Sequence, residues 1–310
     1  LQAQGTFNID VLFNIDVRGS WRCNVAVAQE EPAPKVESKI NSGFISALPL
    51  RSIGPALMSG RIADIAVDPT NPNVWYVGVG SGGVWKTTNS GTTFESIFDG
   101  QKSYSIGCIT IDPNNNNTIW IGSGENVGGR HVGYGDGIYV SHNGGKTFTN
   151  MGLAKSEHLS KIIVHPKNSQ IVFAASQGPL WSAGGQRGLY KSIDGGANWK
   201  NVLNCDGQPG GEYTGVTDVT MDPNDPNTLY AATHQRHRTV WSLLNTGPRS
   251  GIHKSTDGGE SWVELKTGLP GGDKGKIAIQ VSPQKSNIVY AAVEQQNRVG
   301  GFYRSEDFGG

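Results

Sequence analysis

Side chains that could bind or cleave a ligand concentrate in six irregular segments of the sequence. The segments are residues 98–105, 122–137, 153–160, 176–188, 205–215 and 233–251. Arginine and carboxylate groups can bind polar parts of a ligand, tryptophan can stack on a sugar ring, and histidine can transfer protons near neutral pH. The candidate ligand-binding residues in these segments are Glu125, Arg130, His131, Asp136, Glu157, His158, Trp181, Arg187, His234, Arg236, Arg238 and Trp241.

Two pairs of carboxylates in these segments could support hydrolysis of a glycosidic bond. That reaction uses two carboxyl groups at a defined separation. Glu125 with Asp136, or Glu157 with Glu212, could supply them. The sequence does not give either separation, so both pairs remain open.

Metal and cofactor chemistry has less support in the sequence. His234 and His237 are three residues apart, and no further residue with the spacing of a zinc ligand accompanies them. The cysteines Cys23, Cys108 and Cys205 form no Cys-x-x-Cys pair and allow one disulfide at most. We therefore expect neither a metal site nor a cofactor.

The charge balance argues against nucleic acid as a partner. The 310 residues include 26 Lys plus Arg and 26 Asp plus Glu, so the formal net charge is zero. No basic surface is predicted that would attract nucleic acid or anionic lipid. The sequence also contains no run of 18 apolar residues, so it predicts no membrane-spanning helix.

One turn sequence recurs five times along the chain. It reads "KSIDGGANW" from Lys191 and "KSTDGGESW" from Lys254, and the shared pattern is Ser/Thr-x-Asp/Asn-x-Gly-x-x-Trp/Phe. The hydroxyl and the Asp or Asn side chain can hydrogen-bond to nearby backbone, and the glycine can adopt a positive φ. We predict a structural role for the residues of this pattern, which are Thr87, Asn89, Gly91, Phe94, Ser141, Asn143, Gly145, Phe148, Ser192, Asp194, Gly196, Trp199, Ser255, Asp257, Gly259, Trp262, Ser305 and Asp307.

Each recurrent turn belongs to a unit that is predicted to contain four short strands. An apolar run ends at Asp-Pro or a similar turn, a β-branched and aromatic run follows, and the recurrent turn joins the third strand to the fourth. Such units predict an all-β fold: a β-propeller with four full four-stranded blades and part of a fifth. The six irregular segments all fall in second-to-third or fourth-to-first connections, which share one face of a propeller. We call this face the upper face.

The amino-acid sequence of the repeats resembles that of a known family. The recurrent turn resembles the Asp-box, also called the BNR repeat. The chain also resembles a family of large exported bacterial proteins, of sortilin-like (Vps10-type) or BNR-repeat "glycosyl hydrolase" type, in segments such as "GSGEN", "SEHLSKI", "QGPLWSAGGQRGLYKS" and "TGVTDVTMDP". The resemblance covers about residues 44–310 and implies a propeller there. Residues 1–43 are expected to form a poorly ordered export and linker segment, because Ala26-Val27-Ala28 fits the small-x-small pattern before a signal-peptidase cut.

Two related groups of enzymes qualify what the resemblance implies. Xyloglucanases have a similar first blade, with a catalytic Asp two residues before the Gly-Gly of the third strand. Here Gly82-Gly83 follows Gly80, so that carboxylate is missing. Sialidases share Asp-boxes, and Arg51 lies near the place of the first Arg of their triad, but the sequence does not supply the rest of the triad.

The function expected from these observations is binding, without catalysis, of a protein, peptide or carbohydrate ligand on the upper face of an exported propeller. One alternative is a sialidase- or xyloglucanase-like glycoside hydrolase that uses the same face. Another is a structural subunit of an envelope or extracellular assembly. Residues 48–53 are expected to form an outer strand that pairs with later blades of a longer chain.

Overall fold

The computed structural model of the chain describes residues 11–15, 21–25, 60–205, 207–296 and 299–310. Strands β1 (Val11–Ile15) and β2 (Trp21–Val25) pair antiparallel and belong to a separate N-terminal unit. Both strands lie within the segment for which we expect an export and linker role. The expected outer strand at residues 48–53 lies outside the described residues.

The second unit consists of strands joined by turns and loops. Its strands are β3 (Ile62–Val67), β4 (Trp75–Val79), β5 (Gly83–Thr87), β6 (Glu95–Ser96), β7 (Ile106–Asp112), β8 (Asn115–Ser123), β9 (Ile138–Ser141), β10 (Thr149–Asn150), β11 (Leu159–His165), β12 (Asn168–Ser176), β13 (Gly188–Ser192), β14 (Lys200–Leu203), β15 (Thr214–Met221), β16 (Leu229–Gln235), β17 (His237–Arg238), β18 (Leu243–Leu244), β19 (Gly251–Ser255), β20 (Val263–Leu265), β21 (Lys274–Val281), β22 (Val289–Gln295) and β23 (Gly300–Ser305). A 3₁₀ helix covers Gly211–Tyr213.

These strands form successive antiparallel blades. Blade 1 is β3-β4-β5-β6, blade 2 is β7-β8-β9-β10, blade 3 is β11-β12-β13-β14, blade 4 is β15-β16-β19-β20, and blade 5 is β21-β22-β23. The predicted all-β propeller, with four full blades and part of a fifth, is therefore confirmed. The small hairpin β17-β18, inserted between β16 and β19, was not predicted.

The hydrophobic core lies between blades rather than inside them. Each cluster of buried apolar side chains draws on two neighbouring blades; for example, Trp120 of blade 2 packs in one cluster with Ile162 and Val172 of blade 3. The other three clusters join blades 1 and 2, blades 3 and 4, and blades 4 and 5. Because burying apolar surface is the main stabilising contribution to folding, each blade depends on its neighbours.

The recurrent turn is stabilised by hydrogen bonds within itself. In blade 4, Ser255 Oγ donates to Asp257 Oδ1 at 2.7 Å, and the backbone N–H of Gly259 donates to Ser255 Oγ at 2.9 Å. The backbone N–H of Ser261 donates to Asp257 Oδ1 at 3.0 Å. Gly259 has φ of +83°, which a residue with a side chain adopts only with strain. The Asp257 carboxylate is thus used to hold its own turn.

The same turn also contacts the preceding blade. An aromatic side chain of each second strand packs on a turn glycine of the next blade, and the four pairs are Tyr76–Gly145, Trp120–Gly196, Phe173–Gly259 and Tyr230–Gly309. In three of the four cases a lysine of the third strand donates to a turn carbonyl of the next blade: Lys86 to Gly144, Lys191 to Gly258 and Lys254 to Phe308, at 2.7–2.8 Å. We call this contact the blade latch. It explains why the turn recurs in every blade.

The latch turns differ in whether they contain a carboxylate that titrates. Hydrogen bonds from Ser261 lower the pKa of Asp257 below its usual value. A lowered folded-state pKa means that the carboxylate stabilises the fold above the unfolded pKa of about 3.9, and that this stabilisation is lost as pH falls through the folded value. In blade 2, Asn143 makes the equivalent contacts with the backbone N–H and the hydroxyl of Thr147 without a titrating group.

We therefore expect Asp257→Asn to reduce the acid sensitivity of the chain and to lower its stability near pH 7, because the amide keeps hydrogen bonds of the turn but lacks the charge that stabilises it there. The measurement is the urea midpoint as a function of pH from about 7 to 2. The reciprocal variant, Asn143→Asp, should steepen the loss of stability in acid. Parallel curves for the wild type and both variants would contradict this prediction.

Candidate functional site

The six irregular segments meet on one face of the propeller. Backbone hydrogen bonds join residues 122–137 to residues 98–105 and 153–160, and join residues 176–188 to residues 153–160 and 205–215. Arg236 donates to the carbonyl of Val127 at 3.1 Å, and Arg130 donates to the carbonyl of Val240 at 3.2 Å. The segments of blades 2 and 4 therefore touch across the segment of blade 3.

Below these loops lies a cavity of about 390 Å³ at the upper ends of the first strands. Its lining contains three cations and three carboxylates, together with the polar side chains of Asn126, Ser160 and Thr217. The charged residues are Arg61, Asp64, Glu125, Lys161, Asp218 and Lys276. A lining of this kind suits a polar ligand with many hydrogen-bonding groups.

Local irregularities of the first strands bring charged side chains to this cavity. The pairing of the first strand with the second shifts register between Ile62 and Asp64 in blade 1, and between Val216 and Asp218 in blade 4. Such bulges change the direction of a side chain. Asp64 Oδ2 accepts the backbone N–H of Ile109 at 3.0 Å, and Asp218 Oδ2 accepts that of Ile279 at 2.9 Å. Each carboxylate thereby joins its blade to the next.

At one side of the cavity, Arg61 binds Glu125 through two hydrogen bonds. Arg61 Nε donates to Glu125 Oε1 at 2.7 Å and Nη2 donates to Oε2 at 2.6 Å. Arg61 Nη1 lies 2.7 Å from His131 Nε2, so His131 accepts with this nitrogen. Glu125 is 2 % exposed. Its charge is therefore balanced by a planar, bidentate partner.

The Glu125 carboxylate occupies the space above Gly80. A Cβ at position 80 would lie 2.5 Å from Glu125 Oε1. Ser105 holds this arrangement, since its hydroxyl donates to the Gly80 carbonyl at 2.8 Å and accepts the backbone N–H of Glu125 at 3.0 Å. A carboxylate from the loop after β8 thus fills the space above Gly80.

Three cationic side chains hold residues 126–128, which we call the strap, over the cavity. Lys276 donates to the carbonyl of Asn126 at 3.0 Å, and Arg238 donates to that of Gly128 at 2.7 Å. The bond from Arg236 to Val127 lies between them. The strap carbonyls are neutral acceptors, so none of these charges is neutralised by the contact.

Burial shifts several pKa values around the cavity. Desolvation raises the pKa of Asp218 and lowers that of Lys276. Desolvation, with the charge of Arg187, lowers the pKa of Arg236 to about 9. Desolvation and the charge of Arg236 lower the pKa values of the histidines His158 and His234 to about 3. Both histidines are therefore neutral at physiological pH.

Comparison with known proteins supports the fold. The family model of sortilin (neurotensin receptor 3), Sortilin-Vps10, matches residues 82–242 and 136–309, which together make up well over half of the chain. The chain belongs to the Sortilin-Vps10 family. In the described ranges of this family member, no helix is long and apolar enough to cross a membrane.

Several relatives of this Sortilin-Vps10 chain are enzymes. A xyloglucanase of Hypocrea jecorina is 29% identical over 237 residues, covering 67% of this chain and 26% of the relative. A xyloglucanase of Paenibacillus sp is 28% identical over 56% of this chain and 16% of the relative. The GH74 xyloglucanase structure from Xanthomonas campestris has a TM-score of 0.58 at 20% identity, covering 80% of this chain and 37% of that one. The chain thus spans about a quarter or less of the length of these two curated relatives.

The Sortilin-Vps10 fold places the predicted ligand-binding residues at different depths. Arg130, His131 and Trp241 are exposed, and Trp241 is 90 % exposed at the tip of the β17-β18 hairpin. The half-buried residues are Asp136, Glu157, Trp181 and Arg238. The buried residues are Glu125, His158, Arg187, His234 and Arg236.

Several of the buried and half-buried residues hold the loops together. Arg187 donates to the carbonyls of Gln177, Pro179 and Ser182 within its own loop. Asp136 accepts the hydroxyl of Tyr139 at 2.7 Å. One member of the Glu125–Asp136 pair is thus bound by Arg61 and the other by Tyr139.

Four charged residues that line the cavity were not among the predicted site residues: Asp64, Lys161, Asp218 and Lys276. Arg61, which binds Glu125, was not among them either. The sequence contained a signal for three of them, because Asp64, Lys161 and Asp218 are each the only Asp, Glu, Lys or Arg within their first strand. A charge inside an apolar strand needs a partner or a solvated cavity.

Proposed function

We propose that the upper face binds a saccharide, with the cavity at the upper ends of the first strands as the main binding site. The observation that carries the proposal is the lining of three carboxylates, three cations and several hydroxyl and amide groups in about 390 Å³. Sugar hydroxyls both donate and accept hydrogen bonds, so a mixed lining of this kind can satisfy them. The xyloglucanase relatives support the same class of ligand.

An exposed aromatic side chain supports the proposal that the ligand is a saccharide rather than a small polar solute. Trp241 stands on the β17-β18 hairpin, which Arg238 ties to the strap. A flat ring at such a position can stack on a sugar residue that extends beyond the cavity. An oligosaccharide could therefore contact both the cavity and the hairpin.

Hydrolysis of the bound saccharide is a second candidate function, favoured by the position of Glu125. Its carboxylate fills the space above Gly80, where the xyloglucanase resemblance implies a catalytic Asp. Asp218 lines the same cavity, and desolvation raises its pKa, which suits a proton donor to the glycosidic oxygen. Glu125 would then act as the base or nucleophile.

The test is calorimetric titration of the chain with xyloglucan oligosaccharides, together with an assay for released reducing ends. We expect binding by the wild type and by Glu264→Gln, a control on the outer strand β20. If the chain hydrolyses the ligand, Glu125→Gln should lower release by about 100-fold or more while binding persists. Absence of oligosaccharide binding would refute the proposal. Binding without release of reducing ends by the wild type would refute hydrolysis alone.

We also propose that residues 1–43 direct export, as the small-x-small pattern predicts. Polysaccharides of the kind that xyloglucanases attack lie outside cells, so a saccharide-binding propeller needs to reach them. The proposal places the boundary between the export and linker segment and the propeller after residue 43.

A further inference from the structure

Two of the three cations that line the cavity form no ion pair with a described residue. Among the described residues, the five ion pairs within 4.0 Å involve the cations Arg61, Lys191, Lys200, Lys266 and Arg304. None of them involves Lys161, Lys276 or Arg236. Lys161 and Lys276 line the cavity itself.

Arg236 adds a buried positive charge behind the strap. It is 1 % exposed, and among the described residues its guanidinium donates only to the carbonyls of Val127 and Gly178, at 3.1 and 3.4 Å. Its Nε has no hydrogen-bond partner. Carbonyl oxygens satisfy hydrogen bonds but carry no full charge, and the Glu157 carboxylate offsets part of the charge of Arg236. The field of Arg236 still reaches the cavity, because it lowers the pKa of Lys276 there.

The carboxylates of the cavity, in contrast, are engaged by the protein. Glu125 is bound by Arg61 in a bidentate pair. Asp64 accepts the backbone N–H groups of Ile65 and Ile109, and Asp218 accepts those of Val219 and Ile279. Backbone N–H groups are neutral, so Asp64 and Asp218 keep their negative charge. Their oxygens already accept hydrogen bonds, so the cavity groups that are most free to bind a ligand are the ammonium groups of Lys161 and Lys276.

An unpartnered polar atom supports a bound ligand at this place. Asn126 lines the cavity, and its Oδ1 is buried without a hydrogen-bond partner. The backbone carbonyl oxygen of Asn126, in contrast, accepts a hydrogen bond from Lys276 Nζ. A buried amide oxygen without a donor is costly. Rotation of the Asn126 side chain toward the cavity would let a ligand hydroxyl beside Lys276 donate to it.

We infer that the cavity takes the carboxylate of an acidic sugar residue, bound by Lys161 and Lys276. Arg236 strengthens the attraction from behind the strap, and Asn126 Oδ1, once its side chain turns toward the cavity, accepts a neighbouring sugar hydroxyl. The inference rests on the proposed saccharide binding and narrows it to uronic-acid-bearing saccharides. One negative charge on the ligand then meets two ammonium groups that form no ion pair within 4.0 Å among the described residues. The Asp218 carboxylate also attracts both lysines, so the ligand competes with it for them.

The test compares two ligands that differ only in charge. One is a glucuronoxylan oligosaccharide, and the other is the same oligosaccharide with its carboxyl group reduced to a hydroxymethyl group. At low salt the wild type should bind the acidic form about tenfold or more tightly than the reduced form, because charge-assisted hydrogen bonds are the stronger ones. This preference should weaken as ionic strength rises.

The double variant Lys161→Met/Lys276→Met should lose the preference while still binding the reduced form. Lys155→Met, which removes an exposed charge from the same face outside the cavity, should keep it. Thermal unfolding of each variant shows whether it remains folded, and Lys276→Met alone provides a milder change if the double variant does not.

The outcomes separate the inference from the proposed function. Equal affinity for the two oligosaccharides would overturn the inference and leave saccharide binding intact. Binding of neither would overturn both. Lysine-dependent binding of an acidic peptide, with no binding of either oligosaccharide, would also overturn both and would identify a peptide as the ligand.

Discussion

Replacing Gly107 with Ala is expected to destabilise the chain by about 3 kcal/mol. A Cβ at this position would lie 1.9 Å from the carbonyl oxygen of Leu159 and 2.5 Å from that of Gly124. Both obstacles are backbone atoms, so relief requires blade 3 to move away at Leu159 and the β8–β9 loop of blade 2 to shift at Gly124. Overpacking of this kind costs about 1–3 kcal/mol and occasionally more. The measurement is the free energy of unfolding from urea titration.

Gly100→Ala provides the matched control, because a Cβ there would meet no atom within 4 Å. We expect its effect to stay within about 0.5 kcal/mol, as for ordinary surface changes. Equal unfolding free energies for the two variants would show that the first strands of blades 2 and 3 do not pack as closely as described. Gly107 lines the cavity as well, so its variant should also lose ligand binding.

Trp120→Ala should have a comparable or larger effect, with a loss of about 3–5 kcal/mol, because it removes a large buried side chain and leaves a cavity. Trp120 is 1 % exposed and belongs to the cluster between blades 2 and 3. Its ring packs on Gly196 and lies edge-on to Trp199, with ring centroids 6.5 Å apart. Urea unfolding measures the loss, and a preserved slope with a lower midpoint would indicate that the fold itself is retained.

Trp241→Ala is the same chemical change at a residue that is 90 % exposed. Its stability should match that of the wild type within about 0.5 kcal/mol. A loss in the Trp241 variant as large as that in the Trp120 variant would mean that the hairpin packs on the propeller. A negligible loss for Trp120→Ala would contradict the role of the blade latch.

The blades could be predicted because their signals are local. Asp-Pro, as at Asp68-Pro69, ends a first strand, and the recurrent turn fixes the third-to-fourth connection within nine residues. Both signals depend on backbone preferences that act over a few residues. Strand order within a blade then follows from short antiparallel connections.

The cavity could not be predicted in the same way, because its lining comes from several strands that are distant in sequence. Lys161 and Lys276 are 115 residues apart (276 minus 161) and meet only through the arrangement of blades 3 to 5. The sequence also predicts Arg236 as a loop residue that could bind ligand, whereas the structure buries it against Val127 and Gly178. The burial of a loop side chain depends on which other loops cover it. The periodicity of the strands contains no information about how loops pack on one another.

The blade latch makes each blade depend on a turn that comes later in the sequence. The lysine–carbonyl contacts span 54 to 67 residues, and in each case the turn lies C-terminal to the lysine that it receives. During synthesis, Tyr76 and Lys86 therefore stay uncovered until the turn at residues 141–148 has left the ribosome. Each blade should consequently become resistant to protease only about one blade after its own strands are complete. A polypeptide stalled at successive lengths would gain protected blades in steps, from the N-terminal side onward.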